Sequence, residues 1–510
     1  QMCIRDRVHM LRSHAYMRRG RPDRRGRIVQ IGPRLSVSAA KADEWVPLLP
    51  GREGALALGM AHVIVRERIY DHAFIADHTD GFDDLAALLL EQYAPEQVAG
   101  LTGVAADTIR RLAREFAGSE AAVAVAGRGM TASTNETYNR LAVHALNALV
   151  GNIGAPGGVL RPPALPLSPW QPAPPAAPPG VRFDGAGGPD FPLAASACPT
   201  MGRRIRSGPH IPEALLLHEV NPLHQSLGAP FWREALIYYI PFIVSFSPFM
   251  DESTLLADLV LPNHTGLERW TDAVPPGGLA VPALAIGAPA VEPLHNTRHS
   301  GDVLIQIARE MGGDLAALFP WDDYGAILRS RARGLYASRG SIQAASYDEF
   351  WSVLLERGAW FGIPDTSGAA DQPPGRFSFR LDAIREGIEG AGSSAEHLGL
   401  AARGAELALP HHELARYAGD PEAYPLHLVP FQVIADAGCR APNAPLLWEM
   451  YGLHLKESWG SWLEIHPATA GRLGIRDGDL VQVESPQGRI RLTARLYEGA
   501  MPDVVSVPLG

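Results

Sequence analysis

A chain of 510 residues is too long for one hydrophobic core and divides into about two to four domains. Its 46% hydrophobic and 20% charged residues are ordinary for a globular protein, and a formal net charge of -10 argues against non-specific nucleic-acid binding. No apolar run approaches the roughly 20 residues needed to cross a bilayer. The longest, Ala235 to Val244, is broken by Tyr238, Tyr239 and Pro241.

The three cysteines, Cys3, Cys198 and Cys439, have no CxxC or other metal-ligand spacing, so these residues encode neither a zinc site nor an iron–sulfur cluster. Nothing supports a Cys198–Cys439 disulfide, and free, buried or inert thiols are the expectation. Residues 1–7, Gln1-Met2-Cys3-Ile4-Arg5-Asp6-Arg7, resemble a translated adaptor and are set aside from fold reasoning. The run Val504 to Val507 lies at the very end, and both ends read as an incomplete frame. The expectation is a further N-terminal region that supplies missing strands.

In chain order, Arg27 to Ile31 reads as a buried strand closed by Gly32-Pro33. Pro50-Gly51 opens a helix carrying Ala55, Leu58, Ala61, Val63 and Val65. Helices are predicted at Ala105 to Phe116 and Tyr138 to Val150, with a small-residue strand, Ala121 to Ala126, between them. Residues 161–200 form a proline-rich connection. Alternation resumes with strands at Ala214 to His218, Phe242 to Phe246 and Leu259 to Leu261, and helices at Phe231 to Ala235, Ser253 to Ala257 and Gly301 to Met311. Residues 321–420 are mixed and unassigned. From 421 onward, short strands at Leu426 to Val429, Leu463 to His466, Leu480 to Glu484, Ile490 to Leu496 and Val504 to Val507 alternate with tight turns, and one helical turn ends at Gly474. The predicted fold class is α/β: two doubly wound, mostly parallel sheet blocks, 8–160 and 201–320, both incomplete, then a small barrel over 421–510 that is truncated at its C-terminus.

Three features could carry chemistry. Gly127-Arg128-Gly129-Met130-Thr131 stands between a predicted strand and helix, where free N–H groups favour an anion, although a capped βα turn explains it equally. Asn221-Pro222 follows a strand at its carboxyl end, where open α/β sheets bind ligands, and Asn-Pro is also a good turn. Carboxylates Glu53, Asp251, Glu252, Asp258 and Glu268 sit at element ends and could pair bidentately with guanine N–H groups, or simply offset helix charge or face solvent. His411-His412-Glu413 and His295 read poorly as a metal site, because adjacent histidines in a strand face opposite ways. No metal ligand and no catalytic residue is assigned.

The order of these pieces resembles the molybdopterin oxidoreductase family, named after dimethyl sulfoxide reductase. The motifs are Gly32-Pro33-Arg34, Pro50-Gly51-Arg52-Glu53, Gly127 to Thr131, Leu146 to Gly158, Glu219-Val220-Asn221-Pro222, Asp251-Glu252-Ser253, Ala257-Asp258-Leu259 and Gly474 to Val481. The resemblance implies a bis(molybdopterin guanine dinucleotide) cofactor with molybdenum or tungsten, cradled by two α/β domains and capped by a double-psi β-barrel. It implies cofactor-binding roles for Arg34 and Glu53 in the first block and for Asn221, with Glu252 and Asp258, in the second. It turns Gly127, Gly129, Met130 and Thr131 toward the pterin. One departure stands out: where the family has Asp after Pro-Gly-Thr, this chain has Arg52-Glu53. Any iron–sulfur cluster and the metal ligand would lie upstream. The look is closest to large subunits of membrane-associated respiratory complexes. That implies electron transfer between a substrate and a respiratory chain, an iron–sulfur electron-transfer subunit and a membrane anchor subunit as partners, and a membrane-associated location, with the periplasmic face as one option. The alternative is a non-catalytic scaffold subunit of a quinone-linked complex, which keeps the fold without the metal.

Overall fold

The computed structural model describes residues 4–20, 25–127, 134–160, 164–170, 182–208, 211–226, 228–275, 279, 281–338, 340–363, 376–433, 446, 449 and 460–509. The chain forms two compact units, Gln1–Leu160 with Ala370–Gly390 and Ser394–Gly510, and Arg161–Ala369 with Ala391–Ser393.

The first unit is built round one helix, Glu53–Arg66, in which every residue from Gly54 to Val65 is buried. Apolar side chains on all its faces require cover on all sides. Helices Phe82–Gln92, Pro95–Thr102, Ala106–Ala117 and Glu136–Leu149 supply it. Beside this bundle, strand Val29–Gly32 pairs in parallel with Glu44–Pro47. Gly54 marks the tightest crossing: a Cβ there would stand 2.3 Å from Asn139 Oδ1 and 2.9 Å from Asn139 Cα. Gly54→Ala must therefore push the Glu136–Leu149 helix outward, and we expect a loss of about 1–3 kcal/mol in urea unfolding. An unchanged midpoint would show that the crossing can relax.

Ala121 to Ala126 joins no ladder, contrary to the strand expected there. Side chains replace the neighbouring strand: Asn147 accepts from the Ala124 N–H at 2.8 Å and donates to the Ala124 carbonyl at 2.8 Å, and Asn152 donates to the Ala122 carbonyl. An Asn amide offers the same donor–acceptor pair as a peptide, so the extended backbone is satisfied without a sheet.

The C-terminal strands form a five-stranded mixed sheet in the order His427–Gln432, Val504–Leu509, Trp462–Ile465, Gly488–Leu496, Leu480–Ser485. The first two and the third and fourth pair in parallel, and the other two neighbours pair antiparallel. Its core is Leu463, Ile465, Ala470, Leu492 and Val505. Among the described residues its two edge strands do not pair with each other.

In the second unit, strands Leu215–Leu217, Ile243–Ser245 and Leu259–Val260 form a parallel sheet, with Ile205, Trp232, Ala235 and Leu236 packed on it from two helices. Residues left unassigned by sequence contribute here. Strand Ala359–Phe361 completes an antiparallel sheet with Ala283–Gly287 and Thr271–Ala273, packed by helices Tyr324–Arg331 and Tyr347–Arg357. Cys198 is a free thiol and is exposed, not buried, while Cys3 and Cys439 lie outside the described residues. Among the described residues no helix is long and apolar enough to cross a membrane.

Candidate cofactor-binding site

In the first unit, a polar knot forms where the turn before the Glu53–Arg66 helix meets the segment 411–417. Gly51 adopts φ +77°, and a Cβ there would lie 2.6 Å from Ala415 Cβ, so only glycine allows the two backbones this close. Tyr417 donates its hydroxyl to the Pro50 carbonyl at 2.6 Å. Asn135 Nδ2 donates to both the Gly51 carbonyl at 2.8 Å and the Glu413 carbonyl at 2.5 Å. Asn139, one helical turn on, accepts from the Gly54 N–H at 3.1 Å and reaches Glu53 at 3.5 Å.

Glu413 anchors the incoming segment. Its carboxylate, 4% exposed, accepts from the N–H groups of Ala401 and Ala402 and from His411 Nε2 at 3.0 Å. Burial works to raise its pKa, but the two N–H groups and His411 outweigh it and hold the carboxyl below its ordinary value. His411 Nδ1 faces the Leu409 carbonyl at 2.8 Å, and its ring lies 3.9 Å from that of Tyr138.

Two groups in this knot have shifted pKa values, in opposite directions. Both ring nitrogens of His412 are inaccessible and have no hydrogen-bond partner among the described residues. Burial, then the Arg52 charge, lowers its pKa to about 4. Glu53 is pushed the other way, upward, chiefly by burial, against the Gly51 and Glu53 N–H groups that favour the carboxylate.

The second polar cluster lies at the carboxyl ends of the parallel strands of the second unit. Asn221 is 6% exposed; its Nδ2 donates to Glu252 at 2.5 Å and its Oδ1 accepts from the Ser253 hydroxyl at 2.7 Å. The Asn221 bond, with a backbone N–H, holds Glu252 below its ordinary pKa. Next to them Asn263 donates to Glu219 at 2.6 Å and accepts from the Ser300 N–H at 3.0 Å, while the Ser300 hydroxyl meets His218 Nε2 at 2.8 Å. Glu219 has φ +50°, an uncommon conformation for a residue with a Cβ, and Asn263 and Arg269 pin its carboxylate.

The structure thus brings Asn221 and Glu252 together but leaves Asp258 apart. Asp258 accepts from the Ile243 N–H at 2.7 Å, at the amino ends of the same strands. Arg34 is engaged within its own unit: it pairs in two-point fashion with Glu464 and lies 3.8 Å above the Phe431 ring. Gly127 is exposed and its carbonyl accepts from Arg140 at 3.4 Å; Gly129, Met130 and Thr131 lie outside the described residues. Sequence reasoning missed Asn135, Asn139, His412, Glu413, Asn263 and Ser300 as members of these clusters. Asn135 and Asn139, four apart at a helix start, were the one local signal.

The sequence model of the family described as Molybdopterin oxidoreductase matches residues 4–308, and that of the Molydopterin dinucleotide binding domain matches residues 449–510. The chain is 29% identical to the menaquinone reductase molybdopterin-binding-like subunit of Nitratidesulfovibrio vulgaris, over 94% of this chain and 59% of that protein. It is 27% identical to the thiosulfate reductase molybdopterin-containing subunit PhsA of Salmonella typhimurium, over 95% of this chain and 64% of that protein. Acetylene hydratase from Pelobacter acetylenicus shares the fold, with a TM-score of 0.72 and 22% identity over 94% of this chain and 66% of that one. The chain therefore spans about three fifths to two thirds of the length of these relatives. With one family model covering more than half of its residues, the chain belongs to the molybdopterin oxidoreductase family.

Proposed function

We propose that this chain is part of the large subunit of a molybdopterin-dependent oxidoreductase that binds bis(molybdopterin guanine dinucleotide) and passes electrons between a substrate and a respiratory chain. The observation that carries this reading is the paired arrangement of the two polar clusters. Each unit has a carboxylate beside an Asn amide at an element end, Glu53 with Asn139 in one and Glu252 with Asn221 in the other. Two dinucleotides need two such sites. A carboxylate can accept from two adjacent guanine N–H groups, and such donors would relieve the desolvation that raises Glu53. In this reading the blocks 8–160 and 201–320 hold one nucleotide each, and residues 421–510 belong to a double-psi barrel that caps them. Arg34, Gly127, Gly129, Met130 and Thr131 would complete the cofactor surroundings, whereas Asp258, bonded to the Ile243 N–H at the amino ends of the strands, falls outside them. The cofactor, with molybdenum or tungsten, supplies the redox chemistry, while these residues bind and orient it. An iron–sulfur subunit and a membrane anchor are the proposed partners, with a membrane-associated location.

Glu53→Ala and Asn221→Ala in the full-length protein test it. Each should lower the guanine nucleotide released by acid by on the order of tenfold, since hydrogen bonds to a charged group contribute roughly 1.5–3 kcal/mol. Unchanged nucleotide content in both variants would sink the assignment. A second reading is favoured by one relative, the menaquinone reductase subunit whose name says only that it is molybdopterin-binding-like. There the chain would be a scaffold without metal. Metal analysis separates the two: stoichiometric molybdenum or tungsten supports the enzyme, and its absence alongside bound partner subunits supports the scaffold.

A further inference from the structure

In the second unit a cavity of about 80 Å³ lies between one face of the antiparallel sheet and the helix Tyr324–Arg331. Asp272 and Ile286 stand opposite each other in the ladder and so share that face. Ile286 and Leu328 give the cavity apolar lining, together with Trp170 from the proline-rich connection. That connection is fixed in place: the Ser168 N–H bonds to the Arg331 carbonyl at 2.9 Å, and Trp170 Nε1 donates to the Leu318 carbonyl at 3.0 Å. Two charges of opposite sign line the same cavity without pairing. Among the described residues the Asp272 carboxylate accepts only from the Tyr324 hydroxyl, at 2.7 Å. The half-buried Arg331 makes no side-chain hydrogen bond or ion pair among them. Its inner Nε is sealed off, so a guest would meet the two outer nitrogens. Tyr324 and Arg331 begin and end their helix, two turns or about 10.5 Å apart on one stripe, and Asp272, tied to Tyr324, is thereby kept from Arg331. Opposite charges set apart across an apolar surface suit a molecule that carries opposite charges at its own two ends.

We propose that this cavity binds a small zwitterion, an α-amino acid of about glycine size, with its carboxylate on the outer nitrogens of Arg331 and its ammonium on the Asp272 carboxylate. Volume limits the guest. An apolar cavity of about 150 Å³ holds benzene, so about 80 Å³ admits a molecule with fewer non-hydrogen atoms than benzene has. Charge sets the class. A simple carboxylate would meet Asp272 as a like charge, and a simple ammonium would meet Arg331 as one. Tyr324 is itself held in place: its ring stacks on that of His299 at 4.7 Å and its N–H bonds to Asp302 at 2.8 Å. Its hydroxyl therefore keeps Asp272 in one orientation. No residue that would contact the guest belongs to either polar cluster described above, so the site does not depend on the cofactor reading.

Saturation-transfer difference NMR on the full chain reads the binding, with glycine, acetate, methylammonium and leucine as separate probes. Glycine should bind with a dissociation constant in the millimolar range, as expected of so small a guest. Acetate and methylammonium should each bind on the order of tenfold more weakly or worse, and leucine should not displace glycine. Asp272→Asn and Arg331→Gln should each weaken glycine by on the order of tenfold or more. Asp272→Asn keeps an acceptor for Tyr324, and Arg331→Gln removes no side-chain hydrogen bond seen among the described residues, so both should fold. Unchanged thermal midpoints check this, and the four probes on the wild type decide the question even where a variant unfolds. Acetate binding as tightly as glycine overturns the proposal and reduces the site to an anion contact at Arg331. Methylammonium binding as tightly as glycine, displacement of glycine by leucine, unchanged glycine affinity in either variant, or no glycine signal at all overturns it as well.

Discussion

Replacing Glu413 by alanine should cost about 3–5 kcal/mol, the largest single-residue effect expected in the first unit. The side chain is almost fully buried and is the acceptor for three donors: the N–H groups of Ala401 and Ala402 and the Nε2 of His411. Alanine leaves all three without this partner, the Ala402 N–H and His411 in a buried setting, and the penalty for orphaned buried donors exceeds the value of the bonds themselves. The damage should spread. The Glu413 carbonyl shares Asn135 with Gly51, so loosening the segment 411–417 also loosens the turn that presents Glu53. Glu413→Gln keeps one acceptor oxygen and should lie between wild type and alanine. Urea unfolding of the three proteins at neutral pH measures this, and an alanine variant within about 1 kcal/mol of wild type would contradict it.

How much of this was legible in the sequence depends on whether the deciding contacts are local. The Glu53–Arg66 and Glu136–Leu149 helices were readable because their apolar spacing is dense and each has a clear start. The C-terminal strands were readable from turn signals such as Asp477-Gly478-Asp479, and were found within a few residues of their expected places. Ala121 to Ala126 misled because small apolar residues look like a buried strand whether the partner is a strand or, as here, the side chains of Asn147 and Asn152. The antiparallel sheet of the second unit could not be read at all. Ala359–Phe361 pairs with Ala283–Gly287 across more than seventy intervening residues, and nothing local in either run names the other.

The candidate site divides in the same way. Asn221 was found by its position after a strand and Glu252 as one of several carboxylates at element ends, and the structure joins them through one hydrogen bond. Their neighbour Asn263 was missed although the strand before it was expected at Leu259 to Leu261, because its partners Glu219 and Ser300 lie far away in sequence. His411-His412-Glu413 was weighed as a metal site and set aside on strand geometry, yet the segment lies in no ladder. Its three side chains do different work. Glu413 ties the loop 401–402, His411 bridges it to the Leu409 carbonyl, and the His412 ring has no hydrogen-bond partner among the described residues.

Acidification should destabilise the first unit, with His412 as a principal cause. In the unfolded chain its imidazole has the ordinary value of 6.5, and in the fold burial and the Arg52 charge bring it to about 4. A base whose pKa is lowered by folding binds protons more readily when unfolded. Its stabilising contribution is therefore complete above pH 6.5, falls through the interval from 6.5 to about 4, and is gone below that. The shift corresponds to about 3 kcal/mol, or roughly 2 once the part-exposed edge of the ring is allowed for. His427, lowered by burial and by the same Arg52 charge, adds to the loss in the upper part of the window. Glu413, held below its ordinary value, adds a further loss at lower pH. Glu53 opposes them: burial raises it, so its carboxylate costs stability near neutrality and that cost is relieved as it takes up a proton. His412→Phe removes the His412 slope without removing a side-chain hydrogen bond seen among the described residues. Urea midpoints measured from pH 8 to pH 4.5 should therefore fall less steeply in His412→Phe than in wild type, by roughly 2 kcal/mol over the range. Parallel curves for the two proteins would show that His412 is not a source of the acid sensitivity.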